Sequence, residues 1–275
     1  MTSQDTVLNP LAVALDVLRA GAPTEIMGAP AAWPRWEALL PHALAATEFA
    51  SGNRDRAASI TADRQAAESC AWLLDRSATY LQVFGRPREA RPLAERALSI
   101  DESLFGPTHL EVSTDLGNLA LILRDLGELS IARELAERGL AISETIFGSD
   151  HPVVGVRLSS LAVILRASGE AAAAREFSER ALAIAETAYG PEHPTISIRL
   201  NNLALVLRDL GELSAARELT ERALAIAEAA HGPYHPDVGT CLGNLALLLR
   251  DLGELPVARE LSERALAPYF AHALE

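Results

Sequence analysis

Apolar residues along the middle of the chain fall at helical spacing. Leu116, Leu119, Ala120 and Leu123 stand at i, i+3, i+4 and i+7, the stripe of a one-sided helix, here termed A. Gly127 follows at a position suited to closing that helix, because glycine tolerates the left-handed conformation of a helix end. A second stripe, Ala132, Leu135, Gly139, Leu140 and Ile142, predicts a helix B. Its outer side carries Arg133 with Glu137 and Glu134 with Arg138 at i,i+4, pairs worth only about 0.2 to 0.5 kcal/mol each. Helix B stops near Phe147-Gly148, and His151-Pro152 opens the next helix A, with proline suited to a first turn.

The whole pattern recurs every 42 residues. The string Asn118-Leu119-Ala120 to Leu126-Gly127-Glu128-Leu129 returns from Asn202 and again from Asn244, and Gly85, Gly169, Gly211 and Gly253 fill the slot of Gly127. The junction returns as Gly190 with His193-Pro194 and Gly232 with His235-Pro236, whereas Gly106 leads to His109-Leu110 without the proline. Small residues recur in pairs, Ala120 with Ala132, Ala162 with Ala174, Ala204 with Ala216 and Ala246 with Ala258, where helices A and B are expected to cross closely. A two-helix unit cannot bury its apolar face alone, so a fixed period of this length predicts an all-α solenoid of stacked units. Five units are expected, at about 65–107, 108–149, 150–191, 192–233 and 234–275. Residues 1–64 read as an N-terminal helical cap with a degenerate repeat: Leu11 to Ala20 as its helix A, and Pro34 to Phe49 as its helix B, kinked or split at Pro41. Gly21 to Ala32 and Ser51 to Arg56 read as insertions. Trp33, Trp36 and Trp72 gather at this end, where they are expected to plug the open face of the first repeat, the sharper alternative being an aromatic docking surface.

These residues resemble the tetratricopeptide repeat, the two-helix unit with small residues where A and B cross. The repeat length, the Asn-Leu-Ala opening and the Gly-x-x-His-Pro junction are similar to the long repeats of kinesin light chains and to the repeat tails of bacterial NB-ARC-type signalling ATPases. The likeness covers roughly residues 65 to 275 and implies that the solenoid is right-handed. It is weakest in the first unit, with Arg76 and Ser77 at the motif Asn and Leu, and in the last, where Pro268 stands in place of Ile142, Ile184 and Ile226.

Net charge is −13 and the isoelectric point near 5.0, which excludes the basic stripe a duplex nucleic-acid binder needs. All 24 basic residues are arginine. Without lysine the chain cannot carry a phosphate-loop lysine, a Schiff base or a lysine general base. Cys70 and Cys241 lie four repeats apart and are expected to be free and partly buried. Met1 to Val7 lacks a basic leader region and no apolar stretch approaches a membrane span, so a reducing cytoplasmic setting without membrane contact is expected.

Candidate binding chemistry lies on a second stripe of helix A: Thr114, Gly117, Asn118, Leu121, Arg124 and Asp125. The family resemblance implies that this face lines a concave groove in which a carboxamide holds a peptide backbone. Asn118, Asn202 and Asn244 occupy that position, with Ser160 in the third unit. An amide offers donors and an acceptor together, so it can satisfy the N–H and C=O of an extended peptide, or else bond the neighbouring helix A. Leu121, Val163, Leu205 and Leu247 give the groove an apolar floor. Arg124, Arg166, Arg208 and Arg250 form a ladder suited to carboxylates, either acidic side chains or a peptide C-terminus. Asp125, Asp209 and Asp251 directly follow three of these, so Arg166, followed by Ala167, is expected to be the least neutralised and the preferred anion contact. The periodic His109, His151, His193 and His235 are too far apart for one metal ion and read as junction residues. No metal, cofactor or catalytic signature emerges. The expected function is a non-enzymatic scaffold that holds an extended protein or peptide segment. The rivals are a sensor tail of a nucleotide-switch protein and a self-associating module.

Overall fold

The computed structural model describes residues 9–27, 29–51 and 63–271, so the insertion expected at Ser51 to Arg56 lies, beyond Ser51, outside the described residues. The chain divides into two compact units, Met1–Glu128 and Leu129–Glu275. The first holds α1 (Pro10–Gly21), a short 3-10 turn (Pro30–Ala32), α2 (Trp33–Ser51), α3 (Arg64–Val83), α4 (Pro87–Phe105) and α5 (Leu110–Asp125). The second holds α6 (Leu129–Phe147), α7 (Pro152–Ala167), α8 (Ala171–Tyr189), α9 (Pro194–Asp209), α10 (Leu213–His231), α11 (Pro236–Asp251) and α12 (Leu255–Ala271). Among the described residues there is no strand, and the fold is an α-solenoid of tandem helix-turn-helix units.

Each element is built as its residues dictate. The stripe Leu116, Leu119, Ala120 and Leu123 is buried along α5, and the equivalent Leu158, Leu161, Ala162 and Leu165 along α7. In the second unit α7 packs on α8, α9 on α10 and α11 on α12, and the small residues at the crossings, Ala162 with Ala174 and Ala204 with Ala216, have essentially no exposed surface. A larger side chain there would overpack the layer at a cost of about 1 to 3 kcal/mol.

The A helices end in one device. In the turn after α9, Gly211 adopts φ +81°, its N–H bonds Arg208 O, and the Glu212 N–H bonds Leu207 O at 2.9 Å. This doubly bonded left-handed turn satisfies carbonyls that the helix end leaves open. It also sets the following glutamate against the preceding B helix: Arg91 meets Glu128 at 2.7 Å in the first unit, and Arg133 meets Glu170, Arg175 meets Glu212 and Arg217 meets Glu254 in the second. The expected i,i+4 pair Arg133–Glu137 is present at 2.7 Å on the same guanidinium.

At the other end of each A helix the junction histidine is an N-cap. The Nδ1 atoms of His109, His151, His193 and His235 accept the backbone N–H two residues on, at 3.2 to 3.3 Å. Each imidazole stacks on the aromatic ring four residues before it: Phe105, Phe147, Tyr189 and His231 respectively. The orphan N–H groups of the helix start are thereby met by a ring already held in place.

The N-terminal helices α1 and α2 pack against α3. Trp36 is fully buried, donates from Nε1 to Pro23 O at 3.0 Å, and lies 6.4 Å from Trp72 and 6.3 Å from Tyr80 between ring centroids. Trp33 donates to Ile26 O and meets Phe84 edge-on. Buried in this way, Trp36 offers no exposed ring to a partner. Of the kink or split expected at Pro41 the split does not occur, since α2 continues through it; α12 runs through Pro268 to Ala271. Cys70 and Cys241 are free, as expected, and buried outright rather than partly.

Candidate functional site on the A-helix faces

In the first unit, Asn118 on α5 donates from Nδ2 to Asp75 Oδ1 on α3 at 2.7 Å, and Arg76 grips the other oxygen of Asp75 at 2.8 Å. Arg124 pairs with its neighbour Asp125, whose second oxygen accepts Gln82 Nε2 at 2.9 Å. Leu121 is half-buried between these polar rungs. The amide thus ties one A helix to the previous one, the structural alternative that the sequence left open.

The second unit repeats the scheme. Asn202 on α9 donates to Ser159 Oγ on α7 at 3.0 Å, while Ser160 turns back to Val156 O in its own helix. Asn244 is half-buried, and its side chain makes no hydrogen bond to another described residue. Val163, Leu205 and Leu247 are half-buried, each offering part of its side chain to solvent.

The arginine ladder corrects one expectation. Arg166 is not the least neutralised member: its Nη1 lies 3.0 Å from Asp209 Oδ2 of the next repeat. Arg208 likewise reaches forward to Asp251, and its guanidinium holds the Asp251 carboxyl below the usual range. In the second unit, therefore, Asp209 and Asp251 each serve the arginine of the repeat before, whereas Asp125 pairs with its own neighbour Arg124. Arg250 is the exposed end of the ladder, with 56% of its side chain accessible and a 3.5 Å contact to an Asp251 that Arg208 already engages.

Two pockets in this unit collect expected site residues. A small one of about 40 Å³ is lined by Val163, Arg166, Asn202 and Leu205 together with Val206 and Ser178, whose buried Oγ has no hydrogen-bond partner. A wider one of about 240 Å³ has Leu247, Ala246, Leu255 and Ala258 as apolar wall and Arg250, Arg259 and Ser262 as polar rim. The A-helix face thus offers apolar recesses beside guanidinium groups.

Sequence reasoning missed His231, which joins His235 and Asp237 in a group with ligand atoms within 4.8 Å of one another. Its position, where other repeats carry Phe105, Phe147 and Tyr189, was the available signal. The arrangement does not suit a metal: His235 Nδ1 already accepts the Asp237 N–H at 3.2 Å, and the two rings stack 4.2 Å apart. An ion about 2 Å from a nitrogen of each ring could not lie near both ring planes.

A family model described as tetratricopeptide repeat matches the chain in overlapping copies at residues 68–145, 119–187, 156–229 and 195–267. The chain belongs to the tetratricopeptide repeat family, whose members are in general non-catalytic interaction scaffolds. A Podosopora anserina protein described as a kinesin light chain with nearly identical TPR-like repeats is 26% identical, with a TM-score of 0.55 over 71% of this chain and 93% of that one. BtubC (BKLC) from P. vanneervenii is 21% identical, with a TM-score of 0.61 over 88% of this chain and 92% of that one. A Rap protein solved in complex with Competence and Sporulation Factor shares the fold at 16% identity, with a TM-score of 0.63 over 94% of this chain and 76% of that one. No curated protein matches the chain. Among the described residues no helix is long and apolar enough to cross a membrane.

Proposed function

We propose that the protein is a scaffold that holds an extended protein or peptide segment on its A-helix faces, with no catalytic role of its own. The observation that carries this reading is the convergence of Val163, Arg166, Asn202 and Leu205 on one recess and of Leu247 and Arg250 on another. Half-buried apolar residues at 42-residue intervals offer side-chain sockets at a regular pitch. The Rap neighbour, solved with a bound factor, lends the reading a precedent in fold. An acidic side chain or C-terminal carboxylate of the segment would meet Arg250, since Arg166 and Arg208 are already engaged by Asp209 and Asp251. The buried, unbridged thiols suit a reducing, cytoplasmic setting.

The test is a random-peptide display selection against the full chain, with the Leu205→Glu/Leu247→Glu variant as counter-target. Selected peptides should bind the parent at least about tenfold tighter than the variant, by fluorescence anisotropy, while circular dichroism of the two proteins coincides. Peptides that bind both equally would move the site off these faces.

A further inference from the structure

The first unit holds a second kind of site. A pocket of about 270 Å³ opens between α1, α3, α4 and α5, with Asp75, Asp101 and Asp115 in its wall. The three aspartates are 5%, 8% and 4% exposed. Burying an ionised carboxylate is costly unless it is paired. Asp75 is paired, through Arg76 and Asn118. Asp101 and Asp115 are buried in the wall of the same pocket, and no arginine among the described residues is seen in an ion pair with either. The Oδ2 atom of Asp115 is buried without any hydrogen-bond partner.

The repeat pattern does not call for these acids. Position 115 carries arginine in the next two repeats, Arg157 and Arg199, and Cys241 in the last; position 101 corresponds to Ser143, Ala185 and Ala227. Two acids that depart from the repeat therefore meet at one point from different helices, a local exception of the kind that marks function rather than folding.

We propose that this pocket binds a guanidinium or alkylammonium group, which bridges Asp101 and Asp115 and reaches the unpartnered Asp115 oxygen. A planar guanidinium suits the pair best, because it can donate to both carboxyls at once. The pocket already accepts such groups from its own chain: Arg76 on Asp75, and Arg19 over the Trp72 ring at 5.7 Å. Glu68 and Glu111 also line the pocket and add to its negative charge, while the two guanidiniums already in the wall disfavour a divalent ion that needs six or more oxygen ligands. Before binding, the pair retains a proton, because burial lifts both carboxyls above their usual range. The entering cation takes that proton's place, so binding releases it to solvent. Only the source of the cation rests on the scaffold reading: Thr114, on the candidate stripe of α5, also lines the pocket, so a basic side chain of a bound segment would reach it.

Titration of the full chain with N-acetylarginine amide tests the site directly. Calorimetry at pH 7 should show saturable binding, with a heat that varies with buffer ionisation enthalpy as protons are released. The Asp101→Asn/Asp115→Asn variant, which removes only buried charge, should remain folded by circular dichroism and lose affinity at least about tenfold. Absence of saturable binding, equal binding by the variant, binding without proton release, or tighter binding of calcium than of the arginine amide would each overturn the proposal. A short Gly-Arg-Gly peptide that binds about tenfold tighter than the amide would place the cation on a segment. Equal affinity would assign the pocket to a free small cation, leaving the scaffold reading to its own selection experiment.

Discussion

Arg166 reaches forward one repeat to Asp209 rather than to its own turn, a 3.0 Å contact between side chains about one third exposed. Such a pair contributes little in water, about 0.2 to 1 kcal/mol. A double-mutant cycle on Arg166→Ala and Asp209→Ala, followed by urea denaturation, should give a coupling inside that range that shrinks in 1 M salt. A coupling near zero at low salt would show that the contact does not persist in solution.

Trp36 has no exposed surface and spends its N–H on Pro23 O. Trp36→Ala leaves a large void and an unpaired carbonyl, so stability should fall by about 3 to 5 kcal/mol, read from denaturant midpoints. A loss under about 1 kcal/mol would make the N-terminal segment an appendage rather than a cap.

Two glycines should respond with opposite signs. Gly211 sits at φ +81°, which an L side chain adopts only with strain, so Gly211→Ala should cost about 1 kcal/mol. Gly243 lies inside α11, where an added Cβ would meet nothing within 4 Å, so Gly243→Ala should stabilise by about 0.5 to 1 kcal/mol. Thermal melts of both variants check the pair.

Burial pushes Asp101 up to about 6 and Asp115 up to about 9, the latter helped by the charges of Asp75 and Asp101. An acid whose folded value lies above its unfolded value, near 3.9, binds more protons when folded. Its stabilising contribution is full below that unfolded value and is lost as pH rises through the folded one. Asp115→Asn should therefore match the parent near pH 4 and exceed it by about 1 to 3 kcal/mol near pH 9, in urea titrations across that window. A parent and variant whose difference stays constant with pH would contradict the buried-acid picture.

The parts legible in the sequence were those that repetition printed five times. The apolar stripes, the closing glycines and the alanine crossings each follow from a local rule, and repetition removed the ambiguity of any single copy. The arginine ladder was misread at Arg166 for a physical reason: Asp209 follows Arg208 in the chain, yet the stacking of successive A helices brings it to the arginine 43 positions earlier. The hydrogen bonds of Asn118 to Asp75 and of Asn202 to Ser159 depend on the same stacking. Asp101 and Asp115 looked like ordinary acids in a chain rich in them. Only comparison with Ser143 and Arg157, their counterparts one period on, hints that they are buried.

The ties of the second unit share a fixed stride: Arg166 to Asp209 and Arg208 to Asp251 span 43 positions, and Arg133 to Glu170, Arg175 to Glu212 and Arg217 to Glu254 span 37. Excising one 42-residue period therefore strands none of these donors, because Arg166 would find Asp251 and Arg175 would find Glu254 at the same stride. An excision of any other length shifts each donor whose tie spans the cut off its acceptor. Gene recombination can lengthen or shorten such a chain by whole cassettes without any compensating substitution, and is barred from almost every other step.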